Sequence, residues 1–239
     1  MKQKFNKKIG LLGGAGPWAS AYAHEHLIKL AQWDYGAVQD HEYPDILHVS
    51  EALEGFGARG VEQDQIIAEQ LLKTFALFQS WGAEIAIIAC NSLHRYYEKI
   101  AAEYQDIHVV HLPREGADVL KNRNIEAAAV LCSASSRQDR LHAIALENVN
   151  IRPILPTDAQ QKRCDAMIET IMAGDETART FRDFRSLTKE FADQGAQSVI
   201  SGCTELSWLA HKVQPDLPVV DCLNAALETT LKLAAIEPN

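Results

Sequence analysis

Residues 82–94 read GAEIAIIACNSLH, and residues 195–207 read GAQSVISGCTELS. Aligned without a gap, the two stretches agree at Gly, Ala, Ile, Cys and Leu, and most other positions are apolar or small. Each is an apolar run of strand length that ends at a cysteine, with polar residues and a helical pattern after it. The repeat therefore predicts a duplicated unit, with Cys90 and Cys203 at equivalent points where a strand gives way to a helix.

Further matches extend the repeat over the chain in the same order. The valine pairs at 109–110 and 219–220 end short apolar runs, and each is followed by a helical pattern that ends in Leu-Lys. The opening run IGLLGG at 9–14 corresponds to AVLCS at 129–133, which also passes from apolar to small residues. A repeat of about half the chain predicts two similar domains related by a pseudo-twofold axis, not a short-period array.

Short apolar runs alternate with longer helical stretches, a pattern typical of βα units in parallel sheets. The predicted strands are Lys8–Leu12, Asp45–Val49, Glu84–Ala89, His108–His111, Ala127–Leu131, Asn150–Leu155, Ser198–Ser201 and Pro218–Asp221. The predicted helices are Trp18–Trp33, Val61–Trp81, Ser92–Tyr104, Ser135–Leu146, Ala159–Ala173, Thr177–Gln194 and Glu205–Lys212, with Arg114–Asn122 and Leu223–Ala235 crossing between domains. The predicted fold is α/β with two similar domains, residues 1–112 plus 223–239 and residues 113–222, and an active site in the cleft between them.

The composition and charge limit the kinds of molecule that the protein is expected to bind. The chain has 239 residues, of which 47% are hydrophobic and 23% are charged, so it can bury a substantial core. Its formal net charge of −9 argues against nucleic-acid or anionic-membrane binding, and no apolar stretch approaches membrane-spanning length.

The five cysteines have no Cys-x-x-Cys spacing, which argues against structural zinc and favours a reducing compartment. Lysines 2–8 and the run to Ala21 imitate a signal peptide, but that run supplies the first strand, so we expect a cytoplasmic protein.

The two cysteines are the candidates for chemistry. In parallel sheets, ligands bind beyond the carboxyl ends of the strands, where Cys90 and Cys203 both fall. A helix N-terminus at that point is expected to lower a thiol's pKa and to bind a carboxylate. Two thiols that face each other across a twofold axis can work on opposite faces of one carbon atom, which is the geometry that a racemase needs.

Three motifs then resemble one known family. Residues 89–94 (ACNSLH) and 202–206 (GCTEL) are similar to the two cysteine motifs of the aspartate/glutamate racemase superfamily, and residues 9–17 (IGLLGGAGP) resemble the opening turn of its aspartate racemase branch. The resemblance spans nearly the whole chain. It implies a two-base racemase without a cofactor or metal, in which Cys90 and Cys203 exchange the roles of thiolate base and thiol acid. It also implies a small amino-acid or dicarboxylate substrate and, more weakly, a homodimer.

The resemblance also implies the residues that bind the substrate: Gly14, Ser50, Arg59, Asn91, Ser92, Ser133, Thr204 and Glu205. The chain departs from the family pattern at 132–136, where CSASS replaces a Gly-Thr turn, and at 50–60, where Arg59 is the only guanidinium. A second carboxylate on the substrate requires a cation or several donors. The candidate cations are Arg59, which we rank first, and Arg95, Arg114, Arg137 and Lys162.

Several alternatives stay open on the sequence. The same scaffold can act on glutamate, on a hydantoin, or on maleate through a covalent cysteine adduct. The departures at 50–60 and 132–136 also admit a binding protein that has lost turnover. A redox switch through a Cys90–Cys203 disulfide is the least favoured, because the Cα atoms would have to lie within about 7 Å of each other.

Overall fold

The computed structural model describes residues 4–57, 60–175 and 177–236. The strands are β1 (Ile9–Gly13), β2 (Ile46–Ser50), β3 (Phe56–Gly57), β4 (Gly60–Val61), β5 (Ile85–Ile88), β6 (His108–Val110), β7 (Ala127–Cys132), β8 (Arg152–Ile154), β9 (Ser198–Gly202) and β10 (Val219–Asp221). The α-helices are α1 (Pro17–Trp33), α2 (Asp64–Trp81), α3 (Tyr97–Glu103), α4 (Leu112–Asn122), α5 (Ala134–Gln138), α6 (Leu141–Asn148), α7 (Asp158–Met172), α8 (Ala178–Asp193), α9 (Thr204–Val213) and α10 (Cys222–Ala234). Asp40–Glu42 and Asn91–Tyr96 form 3-10 helices.

The two halves build the same sheet. The first is four-stranded in the order β2-β1-β5-β6, and the second is four-stranded in the order β8-β7-β9-β10. All pairings within both sheets are parallel. The central strands β1, β5, β7 and β9 are buried throughout, which explains why they read as continuous apolar runs without alternation. The predicted α/β fold with two similar parallel-sheet domains is confirmed.

Apolar packing is continuous between the two sheets. One face of each sheet has its own core, with Phe75 and Phe78 in the first half and Phe184 and Phe191 in the second. The opposite faces share a third core, in which side chains from β1 and β5 and from β7 and β9 pack with the helices between the sheets. The shared core joins the halves into a closely packed pair, so the cysteine motifs of the two halves are held in a fixed relation.

The helix that follows each sheet packs on the other half. Helix α4 follows β6 but contacts β9 and β10, and α10 follows β10 but contacts β5, β6 and α1. The two helices also contact each other closely, because a Cβ on Gly116 would lie 2.6 Å from Cys222 Sγ. This packing agrees with the predicted crossing of the two helices. The domain boundaries at residues 112/113 and 222/223 stay a prediction.

Three predicted helices differ from the observed ones. The predicted helix Val61–Trp81 begins at Asp64, because Gly60–Val61 pairs with Phe56–Gly57 as an antiparallel hairpin. The predicted helix Ser135–Leu146 is broken between α5 and α6, where Arg140 has a left-handed φ of 55°.

The third difference affects the first cysteine motif. The predicted helix Ser92–Tyr104 begins instead as the 3-10 helix Asn91–Tyr96. His94 Nδ1 lies 3.0 Å from the Cys90 carbonyl, so this side chain occupies the acceptor that an α-helix would pair with a backbone N–H. The other predicted strands and helices coincide with observed ones to within two residues at each end.

Candidate active site

The two cysteines have nearly the same backbone conformation. Cys90 follows β5 with φ −150° and ψ 119°, and Cys203 follows β9 with φ −146° and ψ 131°. Each is the residue that precedes the first turn of its helix, and each is partly exposed and unbridged. The backbone therefore holds Cys203 in the second half in the same way as it holds Cys90 in the first half.

The two thiols share one electrostatic environment. Charge on Cys90 raises the pKa of Cys203, and the Glu205 carboxylate raises the pKa of both cysteines. Such mutual effects require the groups to lie near one another with little water between them. Cys90, Cys203 and Glu205 therefore form one cluster, drawn from both halves of the chain.

The expected lowering of the thiol pKa values is wrong for this structure. Burial is the largest cause of the shift at Cys90 and raises its pKa to about 12, although the backbone N–H groups of Ser92 and Leu93 act in the opposite direction. Burial also raises the pKa of Cys203 well above its usual value, and the charge of Glu205 and the hydrogen bond to it add to the rise. Loss of hydration thus outweighs the donors at the helix start.

The first motif ties the two halves together through hydroxyl groups. Ser92 Oγ lies 2.9 Å from Ser133 Oγ and 3.0 Å from Ser136 Oγ, and all three side chains are buried. Ser133 also caps α5 by accepting from the Ser136 backbone N–H. The structure thus brings the predicted site residues Ser92 and Ser133 together and adds Ser136 from the run at 132–136.

The second motif carries an acid beside its thiol. Cys203 Sγ donates to Glu205 Oε2 at 3.0 Å, and Thr204 Oγ1 donates to the same oxygen at 2.9 Å. The other carboxylate oxygen faces the turn after β1, since a Cβ on Gly16 would lie 3.5 Å from Oε1. Glu205 accordingly links the second cysteine to the glycine turn of the first half.

Gly14 and Ser50 lie at the ends of neighbouring strands. Gly14 has φ +97°, and a Cβ there would lie 1.8 Å from the Glu51 carbonyl oxygen, so the tight turn itself requires glycine. Ser50 is exposed at the end of β2, paired with Gly13 of β1. Glycine at 14 is thus explained by packing against the loop after β2, and Gly16 is the glycine of this turn that faces Glu205.

Four of the five candidate cations have carboxylate partners or lie at the surface. Arg95 lies 3.5 Å from both Asp64 and Asp139, Arg114 pairs with Glu98 at 2.9 Å, and Arg137 pairs with Asp158 at 3.0 Å. Lys162 is exposed, and Arg59 lies outside the described residues. These pairs neutralise three of the candidates locally, so Arg59 keeps its rank only as a prediction.

Two histidines support the first motif, and the sequence indicated the role of neither. His94, one turn after Cys90, is buried and bonded to backbone groups of Cys90 and Leu112. Burial lowers its pKa to about 4, so it is neutral at physiological pH. His142, from the other half, contacts Asn91 Oδ1 at 3.0 Å, and no local pattern pairs residues so far apart.

Two kinds of feature are absent from the described residues, namely a membrane-spanning helix and a metal-binding cluster. Within residues 4–57, 60–175 and 177–236, no helix is long and apolar enough to cross a membrane. In those same ranges, no cluster of three or more His, Cys, Asp or Glu side chains is arranged to hold a metal ion.

The fold and the paired cysteine motifs agree with comparisons to known proteins. The sequence model of the Asp/Glu/Hydantoin racemase family matches residues 12–230, and the chain belongs to this family. Membership makes it an enzyme of the isomerase class. The broad specificity amino-acid racemase RacX of Bacillus subtilis (strain 168) is 23% identical over 223 residues, which are 93% of this chain and 96% of that protein.

Solved structures share the fold over almost their full length. An aspartate racemase homologue from Pyrococcus horikoshii OT3 has a TM-score of 0.80 at 20% identity, covering 96% of this chain and 99% of its own. The aspartate racemase of Picrophilus torridus has a TM-score of 0.78 at 17% identity, covering 98% of this chain and 96% of its own.

Proposed function

We propose that this enzyme racemises a small amino acid, aspartate by preference, without a cofactor, through Cys90 and Cys203. The observation that carries the proposal is the equivalence of the two thiols: they follow corresponding strands with nearly equal dihedral angles, and charge on one raises the pKa of the other. The relatives named racemase or aspartate racemase support the same reaction.

The proposed reaction moves one proton on each face of Cα. One cysteine, as the thiolate, removes the Cα proton and becomes a thiol, while the electron pair left on carbon delocalises into the α-carboxylate. The other cysteine, as the thiol, gives its proton to the opposite face and becomes the thiolate. The product has the inverted configuration, and the cysteine that acts as base depends on which enantiomer is bound.

The donors of the first motif suit the substrate's α-carboxylate. Asn91 and Ser92 follow Cys90 directly, Ser133 lies against Ser92, and backbone N–H groups are available at the start of the 3-10 helix. Donors fixed in a site with little water stabilise the negative charge that grows on this carboxylate as the proton leaves. We assign Asn91, Ser92 and Ser133 to this task.

We assign Glu205 to the substrate's α-ammonium group instead of its carboxylate. A carboxylate beside Cys203 repels another carboxylate but attracts a cation, and Glu205 lies between Cys203 and the Gly16 turn of the other half. The bound ammonium group offsets the charge of Glu205 and favours the thiolate form. The substrate itself then lowers the thiol pKa values, which are raised in the free enzyme.

Preference for aspartate requires a residue that binds the side-chain carboxylate of the substrate. Arg59 is our candidate, because Arg95, Arg114 and Arg137 already contact acidic side chains. Arg59→Gln is expected to raise KM for aspartate by about 10-fold or more, with a smaller effect on alanine, which lacks the second carboxylate. An equal effect on both amino acids would reject Arg59 as the specificity residue.

Proton NMR of the purified protein in D₂O tests the reaction. With L-aspartate or L-glutamate and no added cofactor, we expect loss of the Cα–H signal and appearance of the D isomer, faster for aspartate. A substrate adduct on one cysteine, formed with maleate and detected by mass spectrometry, would favour the maleate alternative. Tight binding of dicarboxylates without Cα–H exchange would favour a binding protein.

A further inference from the structure

The buried ring of His142 lies between the two cysteine motifs. His142 belongs to α6 of the second half and is 1% exposed, and its Nε2 lies 3.0 Å from Oδ1 of Asn91, the residue after Cys90. The same ring lies against Gly202, the residue before Cys203. One imidazole thus contacts the chain neighbours of both cysteines.

The contact with Gly202 is close enough to determine the residue there. A Cβ built on Gly202 would lie 2.2 Å from both Cε1 and Nε2 of His142, and the nearest atoms it meets all belong to this ring. No side chain fits at 202 while the imidazole holds its place. Glycine before the second cysteine is therefore explained by His142, with no need for a close approach of the substrate.

The ring is neutral and acts as a fixed donor. Burial, with a smaller contribution from the neighbouring His94, lowers its pKa to about 3. Among the described residues, Nδ1 of His142 is buried without a hydrogen-bond partner, whereas Nε2 faces an amide oxygen, so the proton belongs on Nε2. His142 Nε2–H then donates to Asn91 Oδ1, which fixes the amide plane and turns the Asn91 Nδ2–H groups away from the ring.

We propose that His142 is a positioning residue, which orients the Asn91 amide toward the substrate's α-carboxylate and holds the first cysteine motif against the second. This inference rests on the proposed function, because it acts through Asn91 as a carboxylate donor. Its effect belongs to both KM and kcat, since the hydrogen bond from Asn91 to the carboxylate forms when the substrate binds and strengthens as negative charge grows there.

Two variants of similar size separate donation from packing. His142→Gln keeps an N–H donor the same number of bonds from Cα, and His142→Leu fills the space without a donor. We expect His142→Leu to lower kcat/KM by about 10- to 100-fold, through both KM and kcat, and His142→Gln to keep it within about 3-fold of the parent. Melting temperatures confirm that both variants are folded. Equal loss in the two variants would overturn the proposal.

A double-mutant cycle with Asn91→Ala tests whether His142 acts through Asn91. We expect His142→Leu to change kcat/KM by less than about 2-fold once Asn91 is alanine, whereas a separate structural role gives additive losses. Additive losses would contradict the inference.

A measurement without turnover distinguishes failure of this inference from failure of the proposed function. In ¹⁵N-labelled protein, the Asn91 side-chain amide signals are expected to shift in His142→Leu and to return toward their parent positions in His142→Gln. If the parent protein racemises no amino acid, the proposed function fails and these signals still decide the role of His142. Signals unaffected by His142→Leu would reject it.

Discussion

The two cysteine motifs have the same backbone but different surroundings. Cys90 and Cys203 end corresponding strands and differ by 4° in φ (−150° and −146°) and 12° in ψ (119° and 131°). Cys90 is followed by neutral polar side chains that bond across to the other half: Asn91 accepts from His142, and Ser92 bonds to Ser133. Cys203 is followed by Thr204 and Glu205, which bond within their own motif.

The difference shows that the duplicated fold determines the positions of the thiols, while the neighbouring side chains determine the charge and the hydrogen bonds around each thiol. Burial raises both pKa values, but among the residues that the structure describes only Cys203 has a carboxylate in hydrogen-bond contact with its sulfur. The thiols are therefore equivalent in position and unequal in proton affinity. Because racemisation has an equilibrium constant of one, this inequality cannot alter the ratio of kcat/KM in the two directions. It can appear only in kcat, in KM and in thiol reactivity.

Removal of either thiol has the largest expected effect. Cys90→Ala and Cys203→Ala should each lower racemisation by about 10⁴-fold, because either change removes the acid or the base on one face of Cα. Chiral chromatography of aspartate measures the loss. Cys164→Ala is the matched control, since Cys164 is buried in the core of the second half, and it should retain parental turnover. Substantial turnover in either site variant would show that the thiols are not a pair.

Glu205→Gln should reduce the inequality between the thiols. The carboxylate raises the pKa of Cys203 by its charge and its hydrogen bond, so its removal lowers that pKa and increases the thiolate fraction. Alkylation of Cys203 by iodoacetamide at pH 8 should accelerate by about 10-fold or more, with a smaller increase at Cys90. Peptide mapping by mass spectrometry gives both rates. Glu98→Gln, at a surface pair with Arg114, is the control, and an unchanged Cys203 rate would contradict this account of Glu205.

The pH dependence of kcat/KM tests the raised pKa values of both motifs together. The base must be a thiolate, and the pKa of each thiol in the free enzyme lies above its usual value, so the thiolate fraction rises with pH throughout the neutral range. Between pH 6 and 8.5, kcat/KM should increase by about 10-fold per pH unit. A plateau already reached at pH 7 would mean that the thiols ionise more easily than their burial implies.

The smallest effects should distinguish the polar partners of the two motifs. Ser92→Ala removes hydrogen bonds that join the halves and should lower the free energy of unfolding by about 1–2 kcal/mol. Thr204→Val removes one bond within its own motif and should cost less, about 0.5 kcal/mol. Urea denaturation compares them. A greater loss of unfolding free energy in Thr204→Val than in Ser92→Ala would contradict this account, in which Ser92 stabilises the contact between the halves and Thr204 only its own motif.

The parts of the molecule set by local pattern could be predicted from the sequence. The repeat at 82–94 and 195–207 predicted both sheets and the place of each cysteine, because strand length and apolar runs are local signals. The resemblance to the racemase family also implied that Ser92 and Ser133 belong to one site, and the two hydroxyl groups lie 2.9 Å apart.

Features that depend on contacts between distant residues could not be predicted. The thiol pKa values follow from burial by both halves, and the helix-start argument, which considers only local donors, had the wrong sign. His142 lies 51 residues from Asn91, and a single histidine in a helix carries no signal for such a contact. The partners of Arg95 and Arg137 likewise come from other segments of the chain.

The location of deuterium during racemisation in D₂O tests most directly that two thiols work on opposite faces of Cα. L-aspartate is incubated with the enzyme in D₂O, the enantiomers in early samples are separated, and the deuterium content of each is measured by mass spectrometry. Two bases predict one deuterium at Cα in the D-aspartate formed and almost none in the L-aspartate recovered, because the proton comes from the opposite thiol. Deuterium entering the recovered L-aspartate as fast as D-aspartate forms would indicate a single base serving both faces, and would contradict the account.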